Sequence, residues 1–160
     1  IAIQASLTGQ LVLATLHTND APSAITRLVD MGIEPFLLAS STIGILAQRL
    51  ARTLCPSCRE AYPADAGEQE LLGLEYPVTL YRAVGCPECN QTGYRGRTGL
   101  FELLAVDEAL HTLIHQGGSE QQLRVQAVNG GMTLLRDDGI AHVLAGTTTL
   151  EEIVRVTRDV

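Results

Sequence analysis

Two short hooks, Cys55-Pro56-Ser57-Cys58 and Cys86-Pro87-Glu88-Cys89, hold every cysteine of this 160-residue chain, with twenty-seven residues between them. A two-residue spacer lets one tight turn offer both sulfurs to a single ion, and two such turns complete a tetrahedral shell. The intervening stretch exceeds the commonest zinc-ribbon spacing, so it has to accommodate a hairpin or short helix of its own. Structural zinc on Cys55, Cys58, Cys86 and Cys89 is the reading this pattern favours. The even count also allows two disulfides, although nothing at the N-terminus resembles a secretory signal. Iron in four thiolates satisfies the same softness and geometry. A catalytic zinc is disfavoured, because four protein sulfurs leave no open position for water. Thiolates around a dication leave a negative excess that Arg52, Arg59, Arg82, Arg95 and Arg97 lie close enough in sequence to offset. Solvated surface arginines are the simpler reading of each.

Composition narrows the field further. Hydrophobic residues make up 46% of the chain, as in a soluble globular protein, and no apolar run reaches the length of a membrane span. A formal net charge of −7 argues against bulk nucleic-acid binding. Paired thiols without a signal peptide favour a reducing, cytoplasmic setting. All 11 basic residues are arginine. A phosphate loop of the form G-x-x-x-x-G-K-[ST] is therefore absent from this sequence, as is any lysine Schiff base. The opening Ile1-Ala2-Ile3-Gln4-Ala5 looks like the middle of a helix, and the sequence reads as a piece of a longer protein.

Taken in order, residues 1–8 predict a helix end stopped by Thr8-Gly9. Leu11 to Leu16 is a continuous apolar run of the kind that forms a buried strand of a parallel sheet. A helix opening at Ala21-Pro22 follows, with Ile25, Leu28 and Val29 inward and Gly32 as its stop. His17 would then sit at the carboxyl end of a strand, where α/β sheets bind ligands. There it could donate to a phosphate, or be a loop histidine satisfied by backbone. Phe36 to Ser41 suits a short helix. Ile43 to Leu54 fits helix and strand alike, and the strand is preferred. Residues 60–76 read as an acidic loop with a short helix near Glu68 to Leu72, and Val78 to Val84 as a strand. Gly93 to Gly99, with three glycines and two arginines, is either a backbone that approaches a ligand closely or an ordinary turn. Leu100 to Leu104 predicts a strand, and Asp107 a helix cap with Leu110, Leu113 and Ile114 inward. Ser119 with Gln122 and Thr149 with Glu152 resemble capping boxes, and Leu134 to Ala145 a further helix. The C-terminal third reads as a small helical bundle, with His111, His115 and His142 at its surface or boundary.

The segment from Leu7 to Asp20, centred on Thr15-Leu16-His17-Thr18-Asn19-Asp20, resembles the histidine box of the secretion ATPases. These are RecA-like hexameric motors of type II secretion and type IV pilus assembly. Ala47-Gln48-Arg49-Leu50, the tetracysteine pattern, Gly93 to Gly99 and Gly146-Thr147-Thr148-Thr149-Leu150-Glu151-Glu152 follow in that family's order. The likeness covers essentially the whole chain and leans towards the type II secretion branch, with pilus assembly as the alternative. It implies an α/β fold: the C-terminal part of a RecA-like P-loop ATPase domain (1–54), an inserted tetracysteine zinc subdomain (55–89), and a glycine-rich turn, return strand and helical region (90–160). It also implies that His17, with Thr18 beside it, serves the γ-phosphate side of an ATP and Mg²⁺ site, and that Arg97, and less directly Arg95, lies near the nucleotide. Relatives often carry a histidine where Gln10 stands, so any two-histidine scheme is in doubt. A homo-hexamer docked peripherally on the inner-membrane platform of a secretion system is the implied assembly, with no nucleic acid and no transmembrane segment. A zinc-ribbon module that docks protein or nucleic acid is the competing reading.

Overall fold

The computed structural model describes residues 2–158, so Ile1, part of the expected first helix, lies outside the described residues. It is a mixed α/β structure, with helices α1 (Ala2–Leu7), α2 (Ala21–Asp30) and α3 (Pro35–Ser41) ahead of the first strand. Strand β1 (Gly44–Leu54), strand β2 (Glu60–Pro63), helix α4 (Ala66–Leu72) and strand β3 (Thr79–Arg82) come next. A 3-10 turn at Pro87–Cys89 precedes strand β4 (Tyr94–Ala105), and helices α5 (Glu108–His115), α6 (Glu120–Asn129), α7 (Leu135–Leu144) and α8 (Leu150–Val156) complete the order. Two two-stranded sheets form, β1 with β4 and β2 with β3. The Val106 amide donates to Ile43 O at one end of the first ribbon and the Cys55 amide to Gly93 O at the other, so β1 and β4 run antiparallel. In the second, Glu60 faces Arg82 and Pro63 faces Thr79.

The chain divides into two compact units, one of residues 1–47 and 102–134 and one of 48–101 and 135–160. In the first, α3 packs on α1 and α5, and α6 on α2 and α5. Its buried side chains include Ala24, Ile25, Leu38, Leu104, Leu110, Ile114 and Leu123. In the second, α7 packs on β3 and α8 around Leu54, Leu80, Leu100, Leu135 and Ile153. Gly139 sits inside α7, where a Cβ would come within 2.7 Å of Ile153 Cγ2. That close approach is the reason for tolerating a residue that weakens a helix interior by about 1 kcal/mol.

Most expected elements are present, and the departures have physical causes. Leu11 to Leu16 is not a strand: it has no regular structure, and Leu13 is 89% exposed. A strand exists only where a neighbour takes up its backbone groups, and neither described sheet extends to this run. On α2 only Ile25 of the expected stripe is buried; Ala21 and Ala24 share the inner face, and Val29 is exposed. Strand β2 arises within the stretch read as a loop. Gly93 to Gly99 is not a turn but leads into β4, which starts at Tyr94, with Gly96 at φ 86° interrupting its pleat. The C-terminal helices do not form one bundle, since α5 and α6 belong to the first unit and α7 and α8 to the second.

Thr149 caps α8 by accepting the Glu152 amide, but Glu152 does not reach back to complete a box. Its fully buried carboxylate accepts the Arg52 amide at 2.9 Å, Arg52 Nη2 at 2.8 Å and Arg155 Nη2 at 2.5 Å. Burial pushes the acid's pKa up, but the hydrogen bonds from Arg155 and Arg52 outweigh it and hold Glu152 at about 2, against an ordinary 4.5. A depressed carboxyl pKa contributes stability that is complete above the ordinary value and lost as the pH falls through the folded one. Replacing Arg52 with Ala is expected to cost about 2 kcal/mol at pH 7, the scale of a charged hydrogen bond. In urea titrations that deficit should shrink as the pH is lowered from 5 towards 2; a deficit constant over that range would refute the account.

Candidate metal centre and histidine loop

Each cysteine hook is a turn shaped by its own backbone. After Leu54 the chain leaves β1, and the Cys58 and Arg59 amides turn back onto the Cys55 carbonyl. In the second hook the Cys89 and Gln91 amides return to the Cys86 carbonyl, and Asn90 and Gln91 both take positive φ, 53° and 62°. The chain then passes Gly93 at φ 75°, where a Cβ would lie 2.5 Å from Ala83 Cβ. Gly85 is constrained in the same way: its φ is 108°, and a Cβ there would lie 2.7 Å from Gln91 O. Glycine at 85 and 93 is thus required by both conformation and space.

These turns bring the four sulfurs within 4.8 Å of one another. Cys55 and Cys86 Sγ are 3.9 Å apart, Cys58 and Cys89 3.8 Å, and Cys86 and Cys89 3.8 Å. Sulfurs on a tetrahedron with metal–sulfur bonds of about 2.3 Å would be separated by about 3.8 Å. Backbone amides already point at the sulfurs: Gly85 N to Cys58 at 3.3 Å, and Cys86 N and Gly93 N to Cys89 at 3.2 Å each. Burial raises the Cys89 thiol, yet the Cys86 and Gly93 amides and the neighbouring thiols bring it down to about 6. Cys58 moves the other way, pushed up to about 12 by burial and by hydrogen bonds shared with the other cysteines. All four cysteines are free. The donor set and spacing fit a soft divalent ion, and the four cysteines could hold one.

The other residues singled out in the sequence fall into two separate places. His17 and Thr18 lie in the first unit, on the irregular segment before α2. His17 is exposed, and the Thr18 hydroxyl donates to Asp20 O at 3.1 Å. Arg95 and Arg97 lie in the second unit on β4, both exposed. Arg95 Nη1 is 3.8 Å from Glu88 of the second hook. Gln10 is also exposed.

Sequence reasoning did not find the groups that hold these places. Asp20 is only 2% exposed, accepts the Ser23 amide at 2.9 Å and pairs with Arg124 of α6. Glu102, fully buried on β4, accepts the Ala21 amide at 2.8 Å. An acid directly ahead of Ala-Pro at a helix start is a legible cap signal. Nothing local marks Glu102 or Arg124, which are distant in sequence.

The profile of the family described as "Type II/IV secretion system protein" matches residues 1–155. Over 161 residues the chain is 60% identical to the Type II secretion system protein E of Pseudomonas aeruginosa, covering 99% of this chain and 32% of that protein. It is 55% identical to the Type II secretion system ATPase E of Vibrio cholerae, again over 99% of this chain and 32% of the relative. The Type IV pilus assembly ATPase TfpB of Acinetobacter baylyi is 46% identical over 98% of this chain and 27% of its own length. The chain therefore spans about a third of the curated relatives it matches. With likeness of this depth along nearly its whole length, the chain belongs to the type II/IV secretion system protein family.

Proposed function

We propose that this chain works as part of the ATPase motor of a type II secretion system, one that hydrolyses ATP to drive assembly of a pseudopilus. The observation that carries the reading is the 60% and 55% identity to relatives of that system, one of them named an ATPase. The pilus relative, at 46%, supports the second reading, a pilus assembly motor, less strongly. In this proposal residues 1–54 belong to a RecA-like ATPase core, 55–89 to a zinc subdomain and 90–160 to the return strand and helical region. The motor is a homo-hexamer, cytoplasmic, attached peripherally to inner-membrane platform proteins. No described helix is long and apolar enough to cross a membrane.

Phosphoryl transfer asks a protein for positioning and charge stabilisation more than for covalent chemistry. His17 supplies a donor to the γ-phosphate, with the Thr18 hydroxyl beside it, while Arg97, and secondarily Arg95, supplies a cation towards the nucleotide. A donor that meets the γ-phosphate only before hydrolysis binds the two nucleotide states differently, and such a difference is what can shift a conformational equilibrium. ATP and Mg²⁺ are otherwise held by a lysine-bearing P-loop, which this lysine-free sequence does not contain; the 160 residues alone are not expected to hydrolyse ATP. The ion on the four cysteines is zinc in a structural role, and the amides of Gly85, Cys86 and Gly93 offset thiolate charge around it.

In the full-length protein, His17→Ala should lower kcat for ATP hydrolysis by roughly a hundredfold, within the range for a positioned donor, and leave ATP binding intact. Steady-state kinetics with an equilibrium nucleotide titration reads both, and unchanged hydrolysis would reduce His17 to a loop residue. For the metal, native mass spectrometry of protein purified under reducing conditions should give one zinc per chain. Cys58→Ser should abolish that mass increment and lower stability by several kcal/mol, on the order expected for a structural site. A fully folded, metal-free chain with an unchanged melting curve would refute the zinc role.

A further inference from the structure

We infer that Asp20 and Arg124, supported by Glu102, position the His17–Thr18 segment for its work on the nucleotide. The inference rests on the reading of His17 just given and assigns it a mount. His17 is exposed on a stretch without regular secondary structure, so no helix or strand ladder of its own fixes its direction. The mount begins three residues later. Asp20 returns its carbonyl to the Thr18 hydroxyl at 3.1 Å. Its carboxylate, almost wholly buried, accepts the Ser23 amide at 2.9 Å and ion-pairs with Arg124, which Glu120 also holds at 3.1 Å. The next residue is held from another side, the Ala21 amide donating to buried Glu102 at 2.8 Å.

This is more than a helix start requires. An asparagine or serine caps as well as aspartate and would need no cation. Burying a carboxylate with a guanidinium instead incurs a desolvation cost that a pair only offsets when its geometry is good. What the ion pair adds over an uncharged cap is a fixed direction, because it ties the segment's root to α6 while Glu102 ties the following residue to β4. A phosphate-facing donor needs that definition: displacement by about 1 Å can cost a hundredfold in rate. Asp20 and Arg124 are positioning residues, acting through His17, with the Thr18 hydroxyl as part of the mount.

The test uses steady-state ATP hydrolysis by the full-length protein. Asp20→Asn keeps the capping oxygen and removes the charged pair; Arg124→Met removes it from the other side. Each is expected to lower kcat about tenfold at an unchanged KM for ATP, with Arg124→Lys recovering part of the loss. Combined with His17→Ala, neither should slow the enzyme further, since a mount matters only while it has something to hold. Should Arg124→Met fail to fold, Asp20→Asn carries the test. Parental kcat in Asp20→Asn alongside a loss in His17→Ala would overturn the positioning role and leave the reading of His17 standing. A loss that adds to that of His17→Ala would also overturn it, by showing an effect on the fold or on another group. Parental kcat in His17→Ala itself would remove both.

Discussion

A carboxylate sealed from water must be ringed by donors, and Glu152 is the point on which the second unit closes. Its ring joins the end of β1 to the start of α8 through both the Arg52 amide and its guanidinium. The neighbouring residues of the same segment bind β1 one after another: Thr148 Oγ1 donates to Arg52 O, and Thr147 O accepts the Leu54 amide. Gly146 O accepts Arg59 Nη1 at 2.6 Å. Arg52 also lies 4.0 Å over the Tyr94 ring, whose hydroxyl meets Thr149 Oγ1 at 2.8 Å. The Gly146-to-Glu152 run is thus a strap across the two strands, held by hydrogen bonds to main chain as much as to side chains.

The four-cysteine cluster is rooted on that strap. Cys55 follows Arg52 by three residues, and Gly93 immediately precedes Tyr94, so the chain enters the first hook and leaves the second at points the strap already holds. The Cys55 amide to Gly93 carbonyl bond closes the base of the lobe. An ion held there would have little to organise at the base and more at the tips, where Ser57 donates to Glu88 at 2.6 Å between exposed turns. Where a site is partly formed beforehand, less of the ion's binding free energy is consumed in ordering the chain.

What was legible in the sequence was local. The hooks, the Asp107 and Ser119 caps and the stops at Gly9 and Gly32 each depend on residues a few positions apart, and each is found where expected. The strand preferred for 43–54 is present as β1, although its burial phase slips between Ala51 and Leu54, which explains why periodicity alone does not settle it. Leu11 to Leu16 misleads because apolar content reports only that a stretch tends to be covered, not what pairs with its backbone. Glu152 misleads for a related reason: a Thr-x-x-Glu spacing suggests a reciprocal cap, and the partner that outcompetes it lies 100 residues away. Of the site, the four sulfurs are readable as a set and Asp20 as a local cap, whereas Glu102 and Arg124 behind the histidine loop are not, since their contacts with Ala21 and Asp20 cross between elements remote in sequence.

The two arginines of β4 are ranked by the same physics. Arg95 and Glu88 are each more than half exposed at a separation of 3.8 Å, and an ion pair of that kind contributes little, falling further with salt. Arg97, among the described residues, makes no ion pair at all. Neither side chain is committed to the fold in the way Arg52, Arg124 and Arg155 are, each of which serves a buried acid. The nucleotide role proposed for Arg97 requires this freedom, because an arginine that left a buried acid to meet a phosphate would strand that acid's charge. Two buried acids, Glu152 and Asp20, take arginines from β1, α8 and α6, whereas Arg95 and Arg97 of β4 are exposed.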